Sequence, residues 1–478
     1  MRLLNIVKIG ALLGLLSLTQ LCGAEVKLSP IFGSGMVLQQ NAEVYFRGTA
    51  KSNSKITLIA SWNNAKLTTA SDNEGKWAVA VPTPSHGGPY KIVISDGHAI
   101  ILDNVLIGEV WLCSGQSNIE MPVKGFAGQP VTGSQEYIAS ASSRRAIRLY
   151  KQPRDWSTTE KTEIKGAEWS LCTAANVSEF SAVGYFFGEM LEKSIDIPVG
   201  IIQCAWSMSK IEAWMSRSTL ERDFENIAVP DVNQKEFGWT AGTPTLLWNA
   251  MVKPWKGFPI KGVLWYQGEA NSENPEEYKK LFPAMVKEWR DLFKNPDMPF
   301  YYVQIAPWKS SGEDNQDWAA FRQAQLELLD LVPNVGMVST ADIGDKIFIH
   351  CPKKIEVGKR LAYLALNNLY GYDRLLAMGP IAKKCVKDEN GVVTVVFDNG
   401  QDGLTPENQK IGGFELVDKD GKILKADAEI VNSSNRVKVW NAEMPNPVEV
   451  RYNYRNYFEG ELFNNAHLPA SPFKMKIQ

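Results

Sequence analysis

The spacing of apolar positions along this chain changes character twice. From Glu25 to about Leu106, apolar and polar residues alternate in short runs: Val44-Tyr-Phe-Arg47, Lys55-Ile-Thr-Leu-Ile59, Lys76-Trp-Ala-Val-Ala-Val81 and Tyr90-Lys-Ile-Val-Ile94. Gly, Asn, Asp, Ser and Pro punctuate them. Period-two alternation between turn residues predicts half-buried antiparallel strands, here a β-sandwich over 25–106. From 107 to 372 the runs become continuously apolar: Val199-Gly-Ile-Ile-Gln-Cys204, Gly262-Val-Leu-Trp-Tyr266, Phe300-Tyr-Tyr-Val-Gln-Ile305 and Val335-Gly-Met-Val-Ser339. Helical stretches at Ala284–Phe293, Trp318–Leu331 and Lys353–Leu369 separate them. Strands apolar on both faces, alternating with helices, predict an α/β domain with a covered parallel sheet. Strand signals return over 373–478, in Val392-Val-Thr-Val-Val-Phe397, Gly413-Phe-Glu-Leu-Val417, Arg436-Val-Lys-Val-Trp440 and Val448-Glu-Val-Arg-Tyr452, and predict a C-terminal β domain.

The first 24 residues follow none of these patterns. Arg2 and Lys8 precede a mostly apolar run, Ile9 to Leu21, and Cys22-Gly-Ala24 supplies small residues where a signal peptidase reads. The layout predicts a secretory signal over 1–24 and a periplasmic or secreted protein. A lipidated Cys22 is the minority alternative, because Leu21 is large for that processing.

Composition narrows the function. The 478 residues are 44% hydrophobic and 22% charged, the balance of an ordinary globular protein. A net charge of −2 argues against a nucleic-acid partner. Beyond the leader, no stretch reaches the ~20 continuous apolar residues of a membrane span. Five cysteines remain after the leader, an odd number without a CxxC pattern or Cys/His cluster, so no structural zinc site is expected. Cys113 and Cys204 sit in apolar runs and read as buried thiols.

Chemistry concentrates in Gly108-Glu-Val-Trp-Leu-Cys-Ser-Gly-Gln-Ser-Asn118. A strand runs into a tight turn, then Ser117, then a segment able to start a helix. That places a hydroxyl at the carboxyl edge of a parallel sheet, where free N–H groups and a helix N-terminus stabilise an oxyanion. A serine needs a base, usually histidine. Of the four histidines, His86 and His98 fall in the first β region and His467 near the C-terminus. His350 alone lies between a strand and a helix of the α/β region. Trp265-Tyr-Gln-Gly-Glu-Ala-Asn271 also leaves a strand at that edge: Gln267 offers an amide donor, and Gly268 permits close backbone approach. Asn274-Pro275 reads as a helix cap.

These segments resemble the sialate O-acetylesterases, a branch of the SGNH/GDSL hydrolases. The resemblance runs from Ile31-Phe-Gly-Ser-Gly-Met-Val-Leu-Gln-Gln40 through Gly108–Pro122, Trp248-Asn-Ala-Met251 and Lys261–Asn271 to Leu468-Pro-Ala-Ser-Pro-Phe473. It implies a three-layer α/β esterase domain flanked by β-sandwich domains, no metal or organic cofactor, and an O-acetylated sugar as substrate. It implies Ser117 as nucleophile and His350 as base. Ser117, Ser207, Gln267 and Gly268 would form the oxyanion hole, and Gln116, Asn118, Met208, Glu269 and Asn271 would line the substrate cleft.

Three features depart from the family pattern. Ser207-Met208 stand for Gly-Gly, Phe348 stands where an acid two residues before the histidine is usual, and Cys351 replaces a proline. With Phe348 unable to orient an imidazole, Asp345 is the expected acceptor for His350, with Asp342 and a backbone carbonyl as competitors. Deacetylation of xylan or another glycan is the alternative within this chemistry. A carbohydrate-binding relative with weak turnover is the alternative outside it. The tryptophans near the loops, Trp206, Trp214, Trp239, Trp265 and Trp308, read mainly as core.

Overall fold

The computed structural model describes residues 26–478; the expected leader, and Cys22 with it, lies outside them. The predicted N-terminal strands form over Glu43–Thr49, Lys55–Ala60, Lys76–Pro82 and Gly87–Ser95. Glu43–Thr49 pairs antiparallel with Lys76–Pro82 in one sheet, and Lys55–Ala60 with Gly87–Ser95 in another. Alternation puts Val44, Phe46, Trp77 and Val81 of the first sheet and Ile56, Leu58, Ile92 and Ile94 of the second into one core.

One strand, β1 (Ala99–Gly115), passes from this sandwich into the α/β domain. Its first half pairs with Gly87–Ser95, and its second half is the centre of a parallel sheet. Its burial alternates up to Asn104 and is continuous from Val105 onward. The expected division at 106/107 therefore falls within a continuous strand, close to where one covered face becomes two.

The sheet continues with β2 (Ile147–Lys151), β3 (Trp169–Leu171), β4 (Val199–Ala205), β5 (Gly262–Tyr266), β6 (Phe300–Val303) and β7 (Val335–Val338), in the order β3-β2-β4-β1-β5-β6-β7. All pairs are parallel except the short edge strand β3. Helix α1 (Ser117–Glu120) follows β1. Helices α2 (Ala182–Ile195) and α5 (Lys354–Leu369) cover one face through Phe186, Phe187, Leu361 and Leu364, against Trp111, Cys113 and Leu264. Helices α3 (Pro275–Phe293) and α4 (Asp317–Leu331) cover the other through Phe282, Trp289 and Phe321, against Val263, Trp265 and Phe300. This is the expected three-layer architecture.

α3 begins nine residues before the expected Ala284 and carries Pro283 in its interior. Proline removes one backbone bond, but the continuous apolar face of Tyr278, Leu281, Phe282, Met285 and Trp289 holds the helix together across it. Asn274 and Pro275 occupy its N-cap and first turn, as the sequence predicts. The C-terminal region folds into two four-stranded antiparallel sheets and a two-stranded one. It docks on the α/β domain through Asn456, whose side chain caps α4 by accepting from Trp318 N–H at 2.9 Å. Cys113, Cys172, Cys204, Cys351 and Cys385 are all buried free thiols. No helix among the described residues is long and apolar enough to cross a membrane.

Candidate active site

Register brings the site together. Gly115 lies level with Ala205 of β4 and Tyr266 of β5, so the segments starting at Gln116, Trp206 and Gln267 leave the sheet side by side. Gly115 makes the close approach possible. At φ 132°, a Cβ there would lie 2.2 Å from the Tyr266 carbonyl oxygen, so only glycine fits. Gln116 N–H donates to that carbonyl at 3.0 Å, and Trp206 N–H donates to Gly115 C=O at 3.1 Å.

Ser117 is the first residue of α1, and its N-cap Gln116 makes no side-chain cap bond. First-turn N–H groups have no intrahelical acceptor, so Ser117 presents both its hydroxyl and its N–H at the positive end of the helix. Asn118 joins this turn to the histidine loop, donating to Ile349 C=O at 3.2 Å. Its side chain also donates to Glu269 and accepts from the Lys354 ammonium. Ser117 and His350 are thus each next in sequence to a residue of one hydrogen-bonded pair. Burial pushes the Lys354 ammonium down and the Glu269 carboxyl up from their ordinary values.

His350 is half-buried at this edge. Among the described residues no hydrogen bond joins its ring to Ser117. Its Nδ1 instead lies 2.5 Å from Gln129 Oε1, and the Phe126 ring meets it edge-on with centroids 5.3 Å apart. Burial first, then the nearby Lys354 charge, lowers its pKa to about 4, so the imidazole is neutral at neutral pH.

Both aspartates expected near His350 have partners of their own. Asp345 Oδ1 takes the Ile347 and Phe348 N–H groups, each at 2.8 Å, which is the local turn-capping bond that Asp favours. Asp342 forms a bidentate pair with Arg360 at 2.8 and 2.6 Å. Neither carboxylate bonds His350.

The expected oxyanion donors other than Ser117 have protein acceptors. Ser207 N–H donates to Glu120 Oε2 at 2.7 Å, and Glu120 is itself clamped by Arg154 at 2.7 and 2.6 Å. The Gln267 amide donates to Ser209 C=O at 3.1 Å and Asn271 Oδ1 at 2.7 Å. Gly268 N–H donates to Gln116 Oε1 at 3.2 Å. Gly268 is nevertheless required sterically, since a Cβ would come within 2.5 Å of Phe321.

Most residues expected in the cleft make hydrogen bonds within the protein. Gln116 accepts from Gly268 and Ala270. Asn271 accepts from Ile211 N–H at 3.0 Å and donates to Glu212 at 2.9 Å. Asn118 and Glu269 belong to the buried Lys354 network. Met208 alone is well exposed, at 64%, and takes φ 62° where the family has glycine. The turn keeps the left-handed backbone despite the side chain, and such conformations persist only where the surroundings fix them. Sequence reasoning missed Glu120, Arg154, Gln129 and Lys354. Trp214 and Trp265 are core, whereas Trp239 is 41% exposed beneath the Lys210 cation.

Ser117 thus stands at the first turn of a helix, at the carboxyl end of the central strand of a three-layer α/β sheet. Residues 107–367 match the carbohydrate esterase, sialic acid-specific acetylesterase family model, and the chain belongs to that family. It is similar to a carbohydrate acetylesterase from Xanthomonas citri, with a TM-score of 0.84, 32% identity, and coverage of 94% of this chain and 99% of that one. It is also similar to the sialate O-acetylesterases of Mus musculus (26% identity, 95% of each chain) and Homo sapiens (27%, 76% of this chain and 74% of that one). The protein is a carbohydrate O-acetylesterase.

Proposed function

We propose that the protein removes O-acetyl groups from sialic acid or a related acetylated sugar through an acyl-enzyme on Ser117. The observation that carries this is the level ending of β4, β1 and β5, which sets Ser117 beside the loops at Ser207 and Gln267, while Asn118 holds the histidine loop. His350 takes the Ser117 proton as Oγ attacks the acetyl carbonyl. The Ser117 N–H, at the α1 N-terminus, is the lead oxyanion donor; Ser207 and Gln267 frame the hole with donors already held by Glu120, Ser209 and Asn271. His350 then returns the proton to the departing sugar hydroxyl. Water, deprotonated by His350, attacks the acetyl-serine and releases acetate. Arg2, Lys8 and the apolar run to Leu21 support export of the chain and cleavage after Ala24.

Acetate release from a panel of O-acetylated sialic acids, acetylated xylan and other acetylated glycans tests this reading. Release from sialates sustains it. Release confined to plant glycans transfers the same mechanism to the second reading, deacetylation of xylan or another glycan. Binding without release from any of them would leave a carbohydrate-binding relative. Terminal sequencing of exported protein tests the leader: a start at Glu25 is expected.

A further inference from the structure

The histidine of this site stands without the acid its chemistry ordinarily uses. Phe348 occupies the position where the family pattern has one. Asp345 is committed to the backbone of Ile347 and Phe348, and Asp342 to Arg360. A catalytic imidazole still needs an acceptor on its second nitrogen, because that bond decides which nitrogen carries the proton.

A turn far away in sequence supplies one. The chain from Phe126 to Gln129 closes on itself, Gln129 N–H donating to Phe126 C=O at 3.0 Å, with Gly128 at φ 72° allowing the tight reversal. Gly125 N–H donates to Pro122 C=O at 2.8 Å behind it, and Thr132 N–H donates to Pro352 C=O at 2.9 Å beyond it. The turn is therefore tied both to the nucleophile segment and to the residues just after the histidine. Its two ends grip the imidazole: Phe126 by its ring, Gln129 by its amide oxygen 2.5 Å from Nδ1.

We propose that Gln129 is the positioning residue of the catalytic histidine, taking the place of the missing acid. Its Oε1 accepts the Nδ1 proton, which fixes the tautomer and leaves Nε2 bare for the Ser117 hydroxyl. An amide orients the ring as a carboxylate would but carries no charge to favour the imidazolium. The charged groups near the ring act accordingly. Lys354 is the cation that lowers its pKa; Glu269 faces Asn118 and Lys354, Glu120 faces Arg154 and Ser207, and Asp345 faces its own turn. No charged partner of opposite sign touches the ring among the described residues. A site built this way keeps its base neutral, and so active, into mildly acidic solution.

This inference rests on His350 being the base, and its test separates the two. Gln129→Leu, Gln129→Glu and His350→Ala are prepared in the full chain, folding is checked by circular dichroism, and kcat and KM are followed against pH with an activated acetyl ester. Gln129→Leu is expected to lower kcat at least about tenfold with KM nearly unchanged, within the ~10⁴ that loss of a triad acid can cost. Gln129→Glu is expected to retain activity at neutral pH and to move the acid limb of kcat/KM upward by about a pH unit or more, because an anion beside Nδ1 favours the protonated ring. A merely structural glutamine would leave that limb in place. Unchanged kcat in folded Gln129→Leu, or an unmoved limb in Gln129→Glu, overturns the proposal. If His350→Ala retains activity, the base assignment falls and takes this inference with it. If His350→Ala is inactive while both Gln129 variants behave as the parent, only the role of Gln129 falls.

Discussion

The nucleophile loop and the histidine loop meet at one sheet edge but are held there by different kinds of force. Ser117 is fixed by backbone. Gly115 allows β1 and β5 to touch, the Gln116 N–H is bound to Tyr266, and α1 starts at once. His350 is fixed by side chains from elsewhere: Gln129 and Phe126 from a distant turn, and the Asn118–Lys354–Glu269 network behind it. Backbone geometry is set by residue type at a few adjacent positions. A side-chain cradle is assembled only when the fold closes, so its parts can be exchanged, as Phe348 and Gln129 illustrate.

The largest test of the contrast is at Ser117. Ser117→Ala should cost about 10⁶ in kcat, the usual loss of a triad nucleophile, with the fold retained because a hydroxyl is removed without disturbing Gly115 or Gln116. Acetate release and circular dichroism measure the two parts. Full activity in a folded variant would end the mechanism.

On the histidine side the most sensitive group is Lys354, whose ammonium is fully buried against Asn118 and the Tyr266 ring. Lys354→Met should lower stability by about 1–3 kcal/mol, because it leaves the buried Asn118 Oδ1 without its donor. A second consequence has a definite sign. Lys354 lowers the pKa of His350, so its removal raises that pKa from about 4 toward the ordinary 6.5. As the proposed base, His350 works only when neutral, so kcat/KM in the variant should begin to fall at higher pH than in the parent. An acid limb at the same pH in both proteins would show that the Lys354 charge does not reach the ring.

Gly115→Ala probes the backbone side. The new Cβ would lie 2.2 Å from a carbonyl oxygen at φ 132°, so the strand ends must separate, at a cost of roughly 1–3 kcal/mol. Thermal melting should show the loss, and kcat should fall with it because Ser117 follows two residues later. An unchanged melting temperature would mean that the close approach of β1 and β5 is dispensable.

The same contrast explains what was legible in the sequence. The continuous apolar runs of β4 to β7 and the Gly115–Asn118 turn carry their placement in adjacent residues, so the parallel sheet, the strand-to-helix turn at Ser117 and the N-cap at Asn274 could all be read. The start of α3 could not, because Pro283 argues locally against the apolar stripe on both sides of it. The partner of His350 could not either. Gln129 lies 221 residues away in sequence, in a turn whose composition signals only a reversal, and a glutamine has no signature as an acceptor. The Ser207 donor looked free because nothing near it in sequence announces Glu120, which reaches it from α1 with Arg154 behind. Asp345 was the natural choice by proximity, but an aspartate followed two and three residues later by free N–H groups is drawn to them first.

That last point yields the smallest and most discriminating effect. Asp345→Asn keeps an oxygen able to accept from Ile347 and Phe348, so the turn should persist, with activity within about twofold of the parent and stability within ~0.5 kcal/mol, as for a benign surface change. Asp342→Asn differs. It removes the charge paired with Arg360, whose side chain is only 6% exposed, and leaves hydrogen bonds to that guanidinium weakened, so a stability loss of about 1–3 kcal/mol is expected. Its kcat should stay near the parent value, because Asp342 does not touch the imidazole. Measured side by side, melting temperatures should separate the two variants while kcat does not. A large fall in kcat for folded Asp345→Asn, with Gln129→Leu unaffected, would reverse the assignment: the histidine would then take its orientation from its own loop, as the nucleophile does, and the difference between the two loops would disappear.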